Sequence, residues 1–339
     1  MRSACLAWML AASLAAPVKA TAVPLASASI FRALCKVDAE ISTADRSQPE
    51  AVALKLVQDL AGGRPTAVFE ALSDEARLST PEDRLAALAK MAGSAAPFSE
   101  IRVAHTYMIN VSGGRNPLRP MACGKTLRDP DGVILSIRAL PLQFHVEVTA
   151  HTKNNDWSGF VWLAPQPEGL KVLAFNLAPS ALSGRSALDL RELARRQTSR
   201  GHAFNAGLLY MAAEAMAGRG PNAAPAWKPD LDHEAATFAW PKEMTGPPPR
   251  LWSLDGQTYS IQNAYAIGLG GELDLMIERR PAEWPSDAAV DADSRRLILA
   301  LVKAHPEMAE SFPGIVVRAF NPDGQHGFAT VFTFAKGLH

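Results

Sequence analysis

The sequence carries no surplus of either charge: 34 Lys and Arg stand against 34 Asp and Glu in 339 residues. So balanced a chain sets up no general field to gather nucleic acid or an anionic membrane surface, and nucleic acid is excluded as an expected partner. Beyond the N-terminus no apolar run approaches the roughly 20 residues of a membrane span; the stretch Leu297–Val302 is far too short. Catalytic signatures are missing as well. There is no Gly-x-Ser-x-Gly elbow. His233-Glu234 opens like a zinc-protease motif, but Thr237 stands where the second histidine is required. Gly124-Lys125-Thr126 ends like a phosphate-binding loop, but Arg119 occupies the place of its earlier glycine. No residue is assigned to catalysis or to a metal, and no cofactor is expected.

Cysteine is scarce, with three in the chain. Cys5 sits in a short apolar run, Ala4–Ala16, behind Arg2 and ahead of Val18-Lys19-Ala20. That order is the pattern of a secretory leader cleaved after Ala20. The chain is therefore expected to be exported, periplasmic or secreted, with no transmembrane segment once the leader is gone. Losing Arg2 and Lys19 leaves 32 basic groups against 34 acidic ones. Cys35 and Cys123 remain, and in an oxidising compartment they are expected to pair; two buried thiols are the alternative.

An apolar content of 48% argues against disorder, and the length suits two domains. Ser47-Gln48-Pro49-Glu50 reads as a capping box opening a helix with Val52, Leu56, Val57 and Leu60 on one stripe, stopped by Gly62-Gly63. A second helix starts at Pro65, and a third at Thr80-Pro81 with Gly93 as its stop. After Pro97 the period becomes two. Ile101, Val103, His105, Tyr107, Ile109 and Val111 are placed on one strand face. Residues 112–131 read as a loop, followed by strands over 133–151, 157–164 and 171–177.

Three helices followed by an antiparallel meander, closed by hairpins through Trp162 and Phe175, resemble the NTF2-like superfamily over roughly residues 47–180. The resemblance implies a cone-shaped α+β domain whose curved sheet wraps around helices and lines a pocket. The aspartates and tyrosine of the isomerases in that superfamily have no match here, so no catalytic role is carried over.

The rest of the chain reads as one long helix over 186–217, a proline-rich extended strap over 218–250, and a second α+β pattern. In that pattern Asp293 or Ser294 caps a helix ended by His305-Pro306, and Asn321-Pro322-Asp323-Gly324 joins the last two strands. The fold class is α+β. Expected segments are a leader at 1–20, an N-terminal segment at 21–46, the first α+β domain at 47–183, helix and strap at 184–249, and a second, smaller α+β domain at 250–339.

His105 and Tyr107 are the candidate ligand-binding pair, expected to point into the cone; the competing reading is a satisfied core pair. His145, Glu147 and His151 lie on the polar face of their strand, expected to be solvated or to serve a homodimer. Asp230, Asp232 and Glu234 read as capping and solvated groups. Arg115, Arg119, Lys125 and Arg128 form a basic loop, and Arg191, Arg195, Arg196 and Arg200 a basic helix face. The expected role is non-catalytic binding of a small molecule in the cone or of a partner protein at a sheet face. Two alternatives stand beside it: an isomerase- or hydratase-like enzyme using His105 and Tyr107, and a structural component of an envelope assembly.

Overall fold

The computed structural model describes residues 32–95, 98–112, 118–124, 132–152, 155–218, 220, 222–335 and 337–338. The leader, and Arg115, Lys125, Thr126 and Arg128 of the basic loop, lie outside these residues. Helices and strands share the chain, an α+β fold in two units. The first unit takes in residues 32–152, 157–178 and 220–227; the second takes in 155–156, 179–218 and 228 onward. Residues 184–249, set apart by the sequence reading, thus divide between the two.

Strand β1 (Arg32–Val37) leads through a 3₁₀ turn at Asp38–Glu40 into helix α1 (Thr43–Ala61). Ser42 caps α1, its Oγ accepting the Asp45 N–H at 3.2 Å, so the helix begins ahead of the expected Ser47 box and carries Pro49 inside it. Helices α2 (Pro65–Ala71), α3 (Asp74–Ser79) and α4 (Glu82–Ala95) follow. The sequence reading missed α3, capped by Ser73, whose Oγ accepts the Ala76 N–H. It also stopped α4 too early: Gly93 lowers helix stability by ~1 kcal/mol relative to Ala but does not end the helix.

Six more strands complete the first unit up to its boundary: β2 (Ser99–Ser112), β3 (Arg119–Cys123), β4 (Val133–Ile137), β5 (Leu142–His151), β6 (Asn155–Gln166) and β7 (Gly169–Leu182). The large sheet runs in the order β1-β2-β5-β6-β7-β8, its last strand the short β8 (Arg185–Ser186). One face meets the helices: Leu56, Leu60, Val68 and Leu85 pack with Phe144, Val146, Val148, Trp157, Val161 and Leu163. The loop expected at 112–131 contains β3, which pairs with β4. The chain then forms α5 (Ala187–Ser199), α6 (Ala203–Ala217) and β9 (Ala223–Pro225), and β9 pairs with β4 to make a second, three-stranded sheet. Its Cys123, Val133, Leu135, Ile137 and Ala223 pack with Tyr107, Ile109 and Phe160 on the other face of the large sheet. Cys35 of β1 and Cys123 of β3 lie at disulfide distance, with Cα atoms 5.9 Å apart and 88 residues between them in sequence.

In the second unit the expected single helix is two. Gly201 takes φ 78°, a left-handed conformation that ends α5 and lets α6 fold back on it. Part of the expected strap is helix α7 (Lys228–Thr237), because Pro229 falls in its first turn, where a missing N–H costs nothing. Arg191 and Arg195 of α5 both bond Glu234 of α7. Burial alone would raise the Glu234 carboxyl; the two guanidiniums instead hold it down at about 2.

Strands β10 (Arg250–Leu254), β11 (Gln257–Leu269) and β12 (Glu272–Arg279) form the expected meander. Helix α8 (Asp287–Ala304) is capped by Ser286 rather than Asp293 or Ser294, and it links β12 to the parallel strand β13 (Gly314–Phe320). Asp293 lies inside α8 and bonds the buried Arg279. Strands β14 (Gly327–Thr333) and β15 (Gly337–Leu338) finish the sheet. Fully buried Glu278 accepts hydrogen bonds from Asn263 Nδ2 and Tyr265 OH, each at 3.2 Å, and burial pushes its carboxyl up. Among the described residues no helix is long and apolar enough to cross a membrane.

Replacing Cys35 and Cys123 together with Ser is expected to lower stability by about 2–5 kcal/mol in urea unfolding, since the cross-link closes a long loop; equal midpoints for the two proteins would show that the cysteines do not pair in solution. Glu234→Ala strands the buried Arg191 and is expected to cost about 3–5 kcal/mol. Arg195→Ala, at a half-exposed position, is expected to cost under ~1 kcal/mol. The same unfolding assay compares the two, and equal losses would contradict the burial argument.

Candidate functional site

Register decides which side chains share the outer face of the large sheet. Tyr107 lies opposite His145, His105 opposite Glu147, and Ile109 opposite Gln143. Directly opposed residues point to the same side. A break in register between Val103 and His105 swaps the faces of β2: Val103 packs toward the helices, while Tyr107 and Ile109 pack away from them. The expectation that His105 and Tyr107 look into the cone is therefore corrected, because one extra residue inverts an alternation.

The two side chains are neighbours with different engagements, their ring centroids 6.2 Å apart. Tyr107 is buried and stacks on Phe160 at 6.1 Å. His105 is partly exposed, and its Nδ1 donates to Asp38 Oδ2 at 2.8 Å. The other oxygen of Asp38 accepts the Thr106 N–H at 2.8 Å, and Asp38 takes φ 48° to reach both. An imidazole held through Nδ1 turns Nε2 away from the carboxylate, where it can accept a hydrogen bond.

His145 is the residue the sequence reading placed wrongly. It was expected on a solvated face, yet none of its surface is exposed. The small sheet covers this side of β5, and Glu147 is buried there too, accepting a hydrogen bond from Ser158 Oγ at 2.9 Å. Neither ring nitrogen of His145 has a hydrogen-bond partner among the described residues. Burial pushes its pKa down to about 3, so the ring is neutral at physiological pH. The ring lies nearly parallel to Trp162, with centroids 5.2 Å apart and planes 16° apart.

Trp162 is itself fixed. Its Nε1 donates to Gln143 Oε1 at 3.0 Å, and Gln143 Nε2 donates to the Arg138 carbonyl at 2.8 Å. The Arg138 guanidinium lies 5.5 Å from the indole and bonds Glu75 Oε2 at 2.6 Å. Above this floor is a small recess walled by Phe160, Phe175 and Ala174, with the half-buried carboxamides of Asn176 and Asn222 also lining it. Its cavity volume is about 10 Å³, the room of one water or one hydroxyl. Gly220 brings the covering segment close: a Cβ there would lie 2.7 Å from Cβ of Asn176, and its φ of +81° suits glycine.

One sequence signal does point to this cover. Phe160-Val161-Trp162-Leu163-Ala164 is a continuous apolar run, the mark of a strand buried on both faces. Gln143, His145 and Glu147 mask the same fact in β5, because polar side chains read as solvated unless their cover is seen.

Several of the remaining candidates find structural partners. His233 and Glu234 lie on α7, where Thr237 Oγ1 donates back to the His233 carbonyl at 2.9 Å. Arg200 bonds Glu310 at 2.7 Å, and Arg196 approaches Glu192 at 4.0 Å. Arg119 lies in β3, and His151 approaches Glu100 at 4.0 Å. Among the described residues no group of three or more His, Cys, Asp or Glu is placed to hold a metal ion. Comparison of the chain with protein-family models, curated proteins and solved structures finds no match in any of the three.

A buried neutral histidine leaves a pH signature. The unfolded chain takes up a proton at His145 near 6.5, whereas the folded chain resists until about 3. The stability this neutrality contributes is therefore present above 6.5 and lost as pH falls toward 3. Relative to His145→Phe, the wild type is expected to lose about 2 kcal/mol between pH 7 and pH 5. Parallel curves of stability against pH in urea would refute a neutral buried ring.

Proposed function

We propose that this chain is an exported binding protein whose first unit, an NTF2-like arrangement, takes a small uncharged molecule without acting on it chemically. The binding place is the recess over His145. The observation that carries the reading is a fully buried imidazole, held against a fixed indole, with both nitrogens unpartnered among the described residues. Buried polar groups left unmet cost roughly 1–3 kcal/mol each, so each such group in a folded protein calls for an explanation, and a bound species beside it is the one we adopt for His145.

The cone between helices and sheet is the less favoured place, because Leu56, Leu60, Phe144 and Trp157 fill it as a core. Export draws support from the leader pattern at 1–20 and from two remaining cysteines at disulfide distance. The Asp38–His105 pair is read as a fastening between the 3₁₀ turn and β2, since both carboxylate oxygens of Asp38 are used there.

Native and denaturing mass spectra of the protein purified from its own compartment test the reading. The expected result is a chain beginning at Thr21, carrying a small mass that denaturation removes and that His145→Phe lacks. A bare mass in both wild type and variant would overturn the binding role. A chain still starting at Met1 would overturn export.

A further inference from the structure

Resting on the reading of the first unit as a binder, we propose that the recess over His145 is a hydroxyl-recognition site. It takes an alcohol group carried on an uncharged molecule. Size makes the first selection. A cavity of about 10 Å³ admits a group of one heavy atom and has no room for the three of a carboxylate or a carboxamide.

Hydrogen-bond chemistry makes the second. A neutral imidazole carries one N–H donor and one lone pair. A hydroxyl both donates and accepts, so it satisfies whichever nitrogen meets it, in either tautomer. A carboxylate meets only the N–H, and an ammonium only the lone pair. Trp162 does not compete for the ligand, because its N–H is already given to Gln143.

The walls make the third. Phe160, Trp162, Phe175 and Ala174 are apolar, and among the described residues His145 is the single ionisable side chain lining the recess. A charged group entering here would lose its hydration with no counter-charge from these residues in return. The Asn176 and Asn222 carboxamides, which also line the recess, are further hydrogen-bonding groups for that one hydroxyl, and the body of the molecule stays outside.

Three probes of one shape test the assignment: cyclohexanol, cyclohexanecarboxylate and cyclohexylammonium, each titrated at millimolar concentration and neutral pH into the mature protein labelled with ¹⁵N-histidine. Cyclohexanol alone is expected to move the ring-nitrogen resonances of His145, saturably. Asn222→Ala, which removes a half-buried carboxamide and leaves the apolar core intact, is expected to weaken that binding several-fold. His145→Phe is expected to weaken it about tenfold or more, with unchanged far-ultraviolet circular dichroism.

Equal or stronger binding of the acid or the amine overturns the hydroxyl assignment, and so does silence from all three probes. If the probes are silent while native mass spectra still show a bound molecule lost in His145→Phe, only the ligand class fails. If that bound mass is absent as well, the binding reading fails with it.

Discussion

Strand β5 has to bury both of its faces, and the architecture of the first unit follows from that requirement. Phe144, Val146 and Val148 meet the helices on one side. Gln143, His145 and Glu147 look the other way and are just as thoroughly covered. An uncovered outer face would expose Tyr107, Ile109, Phe160 and Trp162 to water, an apolar patch of the kind soluble surfaces avoid. The three-stranded sheet supplies the cover. It is assembled from a segment after β2 and a short strand returning after α6, and the Cys35–Cys123 pair joins its first strand to β1.

Covering a face that carries polar side chains forces each of them to find a partner. Gln143 is satisfied by Trp162 and by the Arg138 backbone, and Glu147 accepts from Ser158. In the second unit Glu278 solves the same problem with Asn263 and Tyr265, and Arg191 solves it with Glu234. His145 departs from this pattern, as do Thr149 Oγ1 of the same strand and Ser294 Oγ in the second unit. The environment of His145 suppresses its charge and leaves both ring nitrogens without a partner among the described residues.

The second unit is governed by helix ends. Ser186 and Asp189 form a reciprocal capping box at the start of α5, Gly201 ends it, and Ser286 starts α8. Where those signals stand in plain form, the reading from sequence finds the element: the meander β10-β11-β12, the helix ended by His305-Pro306, and the strands joined by Asn321-Pro322-Asp323-Gly324 all lie where expected. Where a signal has two meanings, it misleads. Proline over 218–250 reads as a helix breaker, yet Pro229 in a first turn is compatible with α7.

The same division runs through the candidate site. Turn chemistry, caps and alternation of period two are local, so most helices and strands, and the α+β class, are legible without any tertiary information. The choice of His105 and Tyr107 shows where that ends. Alternation tells which residues share a face but not which face is covered, and the irregularity before His105 exchanges the faces without any mark in composition. The site over His145 joins β5 and β6 to Asn176 and Asn222, groups distant in sequence that meet only through strand pairing. Burial, the lowered basicity of the ring and the cavity above it are properties of that meeting. They belong to the tertiary structure because desolvation depends on everything surrounding a group, not on its neighbours along the chain.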